Sequence, residues 1–117
     1  ANEIDGAGHR HRDLERPEPA LGDPSCPGPI DPKAFFSHGL TSIPRGDGAI
    51  LYVAGHRSSA GEGREAVEVF QLRGRGKDAR VSWKACIPAD GGIQANDVAV
   101  APDTEVIVSN YQPSGSP

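Results

Sequence analysis

Four polar residues of this 117-residue chain have types and positions that suit metal-assisted chemistry. His38 and the pair Asn96-Asp97 stand at the beginning of runs rich in β-branched residues, and His56 comes just after another such run. Carboxylate, carboxamide and backbone carbonyl oxygens are the hard ligands that Ca²⁺ prefers. Two histidines beside such an ion can deprotonate a water molecule. If these residues converge, the pattern indicates a hydrolytic calcium site.

Each of these residues also has a purely structural interpretation. His38 stands directly before a glycine, which suits a turn. Asn96-Asp97 follows a Gly-Gly pair, and both Asn and Asp tolerate hairpin conformations. Spacing alone leaves both interpretations open, so the choice depends on the elements that position the residues.

Those elements are predicted to be β-strands. Short runs rich in Val, Ile, Leu and Tyr alternate with Gly, Pro and Asp turns, and no window has the apolar spacing of an amphipathic helix. Alternation in 81–87 places Val81, Trp83, Ala85 and Ile87 on one face, whereas the continuous apolar run 50–53 is typical of a strand covered on both sides. The chain is therefore expected to be all-β, with strands at 37–43, 49–54, 66–72, 80–87, 96–101 and 104–109.

A weak internal repeat predicts how the strands are arranged. Residues 37–53 and 95–109 each contain a polar strand start, a Pro/Asp/Gly hairpin and a β-branched strand, and two further strands complete the first unit. Four antiparallel strands per repeat are typical of a β-propeller blade. The expected fold is a partial β-propeller of about one and a half four-stranded antiparallel blades, with His38 and Asn96-Asp97 converging on one site. A closed propeller needs at least about 160 residues, so the sequence is expected to be a fragment.

The first 32 residues differ from the rest. They contain six prolines, dense mixed charge and few large apolar side chains, which predicts an extended N-terminal arm or loop over 1–32 and propeller blades over 33–117. Cys26 lies in the arm and Cys86 in a predicted strand, so the pair is either a disulfide that pins the arm to the blade or two thiols. A disulfide would indicate an exported or periplasmic protein.

Charge and hydropathy argue against two other classes. The formal net charge of -4 argues against a nucleic-acid-binding protein, which needs a basic face. No apolar run approaches the ~18 residues of a transmembrane helix. The sequence identifies no protein partner.

Four segments, in order, resemble the paraoxonase/arylesterase family and the wider gluconolactonase and strictosidine-synthase-like superfamily of six-bladed propellers. The match lies within residues 36–111, about two-thirds of the chain. The segments are Ser37-His38-Gly39-Leu40, Leu51-Tyr52-Val53-Ala54-Gly55-His56, Val67-Glu68-Val69-Phe70 and Asn96-Asp97-Val98.

The resemblance implies a role for each matching residue. His38 matches the family's proposed general-base histidine, and His56 matches its partner in a histidine pair. Asn96 would ligate a catalytic Ca²⁺, while Asp97 and the backbone carbonyl of Leu40 would belong to a second, structural Ca²⁺. The implied activity is calcium-dependent hydrolysis of a small-molecule ester or lactone, with a carbonyl polarised by the ion and a water activated by the histidines.

The chain also departs from the family pattern. Gly55 stands where paraoxonases have Asn before the second histidine, and the further calcium ligands expected upstream and in later blades are missing from this sequence. The chain alone is therefore expected to be inactive. Two alternatives remain: a non-catalytic propeller binding module that retains at most a structural ion, and a free-standing β-domain.

Overall fold

The computed structural model of the chain describes residues 16–18, 20–89, 95–101 and 105–110. Within this part, regular structure consists of six strands and two short 3₁₀ turns at Pro32–Ala34 and Gly76–Asp78. The all-β prediction is confirmed there, and the bounds of each strand differ from the predicted ones by only one or two residues. The strands are β1 (Phe36–Arg45), β2 (Gly48–His56), β3 (Ala66–Arg73), β4 (Arg80–Pro88), β5 (Ala95–Val100) and β6 (Val106–Asn110).

The first four strands form one antiparallel sheet in the order β1-β2-β3-β4, and β5 and β6 form a separate two-stranded antiparallel sheet. This order follows the order of the strands in the chain, since consecutive strands tend to pair with each other. Gly46 between β1 and β2 has a φ of +61° and Gly74 after β3 has a φ of +80°, backbone conformations that suit a residue without a Cβ. The described strands form no closed ring, so the propeller prediction goes beyond the architecture seen here.

The hydrophobic core lies between the two sheets. β5 packs over β1 and β2 and touches β3. This packing sets the beginning of the second sheet beside the beginning of the first. The buried core residues are Ile50, Tyr52, Ala54, Val67, Val69, Ala85 and Val98, and Leu21, Ile43, Ile87, Val100, Val106 and Val108 pack around them.

The other face of the four-stranded sheet carries a buried carboxylate. Glu68 in β3 is only 1% exposed. Arg64 donates to it twice, from Nε to Oε2 and from its terminal nitrogen to Oε1, both at 2.8 Å. The indole Nε1 of Trp83 donates to Oε1 at 2.9 Å. The charge is therefore paired and hydrogen-bonded, as a buried carboxylate requires.

The prediction that Val81, Trp83, Ala85 and Ile87 lie on one face of the sheet is wrong. The pairing of β3 with β4 shifts register between Val69 and Phe70, which face Ala85 and Trp83 respectively. Lys84 is thus an extra residue in β4, and such a bulge reverses the side-chain alternation beyond it. Ala85 therefore joins the core, whereas Trp83 points to the opposite face and reaches Glu68.

The described part of the N-terminal arm lies along the outer strand β4. The amide of Glu18 donates to the carbonyl of Lys84 at 2.8 Å, and the amide of Asp23 donates to the carbonyl of Cys86 at 3.0 Å. Cys26 and Cys86 form a disulfide with a Cα–Cα distance of 5.4 Å, which decides between the two alternatives for the cysteines. The arm covers part of a sheet edge that would otherwise be open to pairing.

Candidate functional site

A β-bulge in β1 positions His38. The register of the β1–β2 pairing shifts between Ser37 and Leu40, so that His38 and Gly39 together lie opposite the single residue Ala54. A bulge of this kind re-aims the side chains of the bulged strand. His38 is consequently directed toward the neighbouring sheet, and its ring is exposed.

A second bulge of the same form positions the residues of β5. The β5–β6 register shifts between Ala95 and Val98, so that Asn96 and Asp97 together lie opposite Ser109. The hydroxyl of Ser109 accepts a hydrogen bond from the amide of Asp97 at 3.0 Å. His38 in the first sequence unit and Asn96-Asp97 in the second therefore lie at equivalent bulges of two different sheets.

The two sheets meet at a hydrogen bond between these bulges. Nδ1 of His38 lies 2.6 Å from Oδ1 of Asn96. An amide oxygen only accepts, so this contact is a hydrogen bond in the tautomer that carries its proton on Nδ1 and its lone pair on Nε2. The ring of His56 stands edge-on to that of His38, with 4.2 Å between centroids and 71° between planes. The structure thus brings together His38, His56 and Asn96, whose catalytic roles stay predictions.

Asp97 packs directly against Gly39. A Cβ built on Gly39 would overlap Oδ1 of the Asp97 carboxylate and lie 2.7 Å from its Cα, so only glycine fits this approach. The same Oδ1 accepts a hydrogen bond from the amide of Val98 at 2.8 Å. Leu40 follows Gly39 in β1, and its side chain is 59% exposed. Asp97 and the backbone that precedes Leu40 are therefore neighbours.

The site contains oxygen atoms of the chemical kind that calcium prefers. Oδ1 of Asn96 keeps a second lone pair beyond the contact with His38, and Oδ2 of Asp97 has no hydrogen bond to another described residue. Ca²⁺ takes 6–8 oxygen ligands, so neither Asn96 alone nor Asp97 with the carbonyl of Leu40 would complete a coordination shell. Among the described residues, no three His, Cys, Asp or Glu side chains come together as a metal-binding group.

An aromatic side chain fills the space beside Gly55. A Cβ on Gly55 would lie 3.0 Å from Cε1 of Phe35, so the Phe35 ring occupies the space that a side chain would need. Phe35 in turn packs on Phe70, with ring centroids 6.0 Å apart. The backbone that leads into His56 is therefore held by packing.

Several residues that shape the site were not predicted from the sequence. Gly39 and Ser109 hold Asp97, and Arg64 fixes the end of the loop that follows His56 by its two bonds to Glu68. Glycine directly after His38 was an available signal for the close approach. The position of Arg64 had no such signal, because it depends on a carboxylate inside an apolar run.

Comparisons of the chain with family models, with curated proteins and with solved structures find no match. No helix among the described residues has the length and hydropathy needed to cross a membrane. The functional assignment therefore depends on the geometry of the site and on the resemblance described above.

Proposed function

We propose that the chain is part of a six-bladed, calcium-dependent propeller hydrolase of the lactonase/arylesterase kind, similar to paraoxonases. The observation that carries this proposal is the 2.6 Å contact between His38 Nδ1 and Asn96 Oδ1, with the His56 ring 4.2 Å away. A base, a second histidine and an oxygen ligand are the parts that this chemistry needs. They come from two sheets and from positions far apart in the sequence.

The arrangement of the sheets supports the propeller part of the proposal. Four consecutive antiparallel strands have the composition of one blade, and β5 lies over β1 and β2 as the first strand of a following blade would. The proposal assigns the beginnings of β1 and β5, where the two bulges lie, to the end of a central channel. On this proposal the complete protein contains further blades that close the ring.

In the proposed reaction, His38 is the base. Asn96 holds the proton on Nδ1, which leaves Nε2 free to accept a proton from the attacking water. His56 lies against the same ring and is the second member of the proposed histidine pair. The exposure of His38 gives water and substrate access to Nε2. A bound calcium ion would polarise the ester or lactone carbonyl and stabilise its developing negative charge.

The proposed ligand sets divide the two oxygen-bearing residues of β5. Asn96 would contribute its Oδ1 to the catalytic ion, next to the base. Asp97 and the backbone carbonyl of Leu40 would contribute to a structural ion beneath the bulges, where Gly39 leaves room for the carboxylate. The other ligands of both ions are expected from further blades.

The proposal is tested with the full-length protein that contains this chain, assayed on a lactone and an aryl ester with and without a calcium chelator. We expect chelation to abolish hydrolysis, and His38→Ala to lower kcat by about 10²–10⁴-fold, the usual contribution of a general base. Asn96→Ala should lower activity strongly, whereas the matched amide change Gln71→Ala, at the other end of the sheet, should not. Activity that survives chelation or Asn96→Ala would contradict the mechanism.

The same assay, together with a thermal melt with and without calcium, separates the alternatives. A protein that calcium stabilises against heat but that hydrolyses neither substrate would favour a propeller binding module. A protein that calcium neither stabilises nor activates would favour a free-standing β-domain.

A further inference from the structure

The end of the four-stranded sheet opposite His38 carries three arginines in one line. Arg45 ends β1 and faces Gly48, while Arg73 ends β3 and faces Arg80 at the start of β4. Gly48 lies against the end of β3, since a Cβ on Gly48 would overlap the carbonyl oxygen of Leu72 and lie 3.0 Å from the Arg73 Cα. The line Arg45, Gly48, Arg73, Arg80 thus crosses all four strands. We call its three cationic residues the arginine row.

The register places Arg73 and Arg80 directly opposite each other, and Arg45 lies at the same end of the sheet. Residues directly opposite each other on neighbouring strands point to the same side, and neighbouring strands are ~4.8 Å apart. Arg73 and Arg80 are therefore one strand spacing apart, and Arg45 stands two spacings from Arg73 across a glycine without a side chain. The backbone positions of the three arginines span about 14 Å.

The charges of the arginine row are not neutralised within the described part of the chain. All three side chains are exposed, and none forms an ion pair with a described residue. Arg73 donates to the side-chain oxygen of Gln71 at 3.3 Å, and Arg80 donates to the carbonyl of Ala79 at 3.0 Å, both neutral acceptors. Like charges directly opposite each other destabilise a sheet, so a bound anion would relieve the Arg73–Arg80 pair.

The surrounding turns add positive charge to this end. Arg75 and Lys77 lie in the connection between β3 and β4. The two turns also contain two acidic residues, Asp47 and Asp78, so the positive charges outnumber the negative ones at this end. Five of the 12 Lys and Arg residues of a chain with net charge -4 are therefore concentrated at one end of one sheet. This concentration is the electrostatic pattern of an anion-binding surface.

We propose that the arginine row binds a linear sulfated polysaccharide. Guanidinium groups donate paired hydrogen bonds to tetrahedral and planar oxyanions, which favours arginine where such groups are recognised. The charges form a line on rigid strand ends, so a chain of sulfate groups can contact several of them at once. The disulfide between Cys26 and Cys86 indicates an oxidising compartment, where such polymers occur.

The two other common polyanions fit this surface less well. A membrane surface would meet the acidic Asp47 and Asp78 together with the cations, and the turns of 46–47 and 74–79 contain no large apolar side chain to insert. Single-stranded nucleic acid is held by aromatic stacking, and no aromatic residue lies in 45–48 or 73–80. A duplex would require a wider basic face than one row of strand ends.

The test measures binding of the full chain to immobilised heparin, a sulfated polysaccharide. We expect micromolar or weaker affinity that falls with added salt, because exposed charges are screened. The variant Arg45→Gln/Arg73→Gln/Arg80→Gln should bind at least about tenfold more weakly, since each exposed ion pair contributes up to about 1 kcal/mol. The matched control Arg16→Gln/Lys33→Gln/Arg57→Gln removes the same charge from exposed sites outside the row and should lose less than about threefold.

Circular dichroism and a thermal melt check that both triple variants remain folded, and Arg→Lys changes at the same three positions give a variant with unaltered charge. Equal losses in the row variant and the control would overturn the proposal, because net charge alone would then explain binding. Tighter binding to phosphatidylglycerol vesicles or to duplex DNA than to heparin would also overturn it. Sodium sulfate is also tested as a competitor, at the same sulfate concentration as soluble heparin and with sodium chloride of equal ionic strength as the control. If free sulfate competes as well as heparin does, the proposal is overturned.

Discussion

Replacing Arg64 with methionine should strongly destabilise the fold, because it removes the cation that pairs with a buried carboxylate of β3. Glu68 is 1% exposed, and Arg64 supplies two of the three hydrogen bonds to its carboxylate. Arg64→Met leaves a buried negative charge with only the Trp83 indole as a partner. The carboxylate cannot turn to water, because it belongs to the centre of β3.

The magnitude follows from burial. Removing one partner of a fully buried ion pair costs about 3–5 kcal/mol. The Arg64 side chain is 21% exposed, so the pair already has some contact with solvent, and the lower end of that range applies. We expect Arg64→Met to lower the free energy of unfolding by about 3 kcal/mol, a large fraction of the 5–15 kcal/mol typical of a domain.

A double variant distinguishes a charge effect from lost packing. Arg64→Met/Glu68→Met replaces both charges with apolar side chains, a change that is often nearly neutral for a buried pair. It leaves the Trp83 indole N–H without its acceptor, which costs about 1–2 kcal/mol. The double variant should therefore be more stable than Arg64→Met alone, although it contains one more substitution.

The assay is urea unfolding followed by tryptophan fluorescence and far-ultraviolet circular dichroism. Trp83 is the only tryptophan of the chain and donates to Glu68, so its emission reports directly on this network. A loss below about 1 kcal/mol for Arg64→Met would mean that the carboxylate is satisfied without the cation. Additive losses in the double variant would refute the charge explanation.

Three further predictions concern the arm and the bulges. Cys26→Ala/Cys86→Ala should lower the free energy of unfolding by about 4 kcal/mol in urea melts, because the disulfide closes a loop with a sequence separation of 60; an unchanged midpoint would contradict this. Gly39→Ala should cost about 1–3 kcal/mol and shift the backbone amide signals around Asp97, whose carboxylate occupies the Cβ position; unshifted signals would show that the bulges do not touch. Backbone and side-chain hydrogen bonds from Ser25 lower the pKa of Asp23. The contribution of this carboxylate to the stability of the fold is therefore present above its usual pKa and is lost as pH falls through the lowered pKa. An NMR titration of the Asp23 carboxyl at its ordinary midpoint would contradict that pKa shift.

The strands were predictable because their signals are local. β-Branched runs and Gly, Pro and Asp turns identify each strand without reference to its partners. The bulge at Lys84 was not predictable, because it depends on how β3 and β4 pair. Trp83 was therefore assigned to the wrong face. The disulfide stayed open for the same reason: a sequence does not contain the Cα–Cα distance that decides it.

The approach of His38 to Asn96 was predictable, but the geometry that produces it was not. His38 and Asn96 stand at the starts of their strands, which suggested that they would meet if the sheets packed blade to blade. The two bulges that aim them, and the contact of Asp97 with Gly39, depend on strand pairing. The burial of Glu68 was not predictable, because its partners come from a loop and from a bulged neighbouring strand.

The central claim is that Asn96 positions His38 as a base, and its most direct test is the tautomer of His38. This tautomer is measured by ¹⁵N NMR of the imidazole nitrogens at a pH at which the ring is neutral. A hydrogen bond to Asn96 Oδ1 requires the proton on Nδ1 and leaves Nε2 as the base. We predict the Nδ1–H form in the wild-type chain and a shift toward the Nε2–H form in Asn96→Ala. An Nε2–H ring in the wild type, or nitrogen shifts that Asn96→Ala leaves unchanged, would contradict the account.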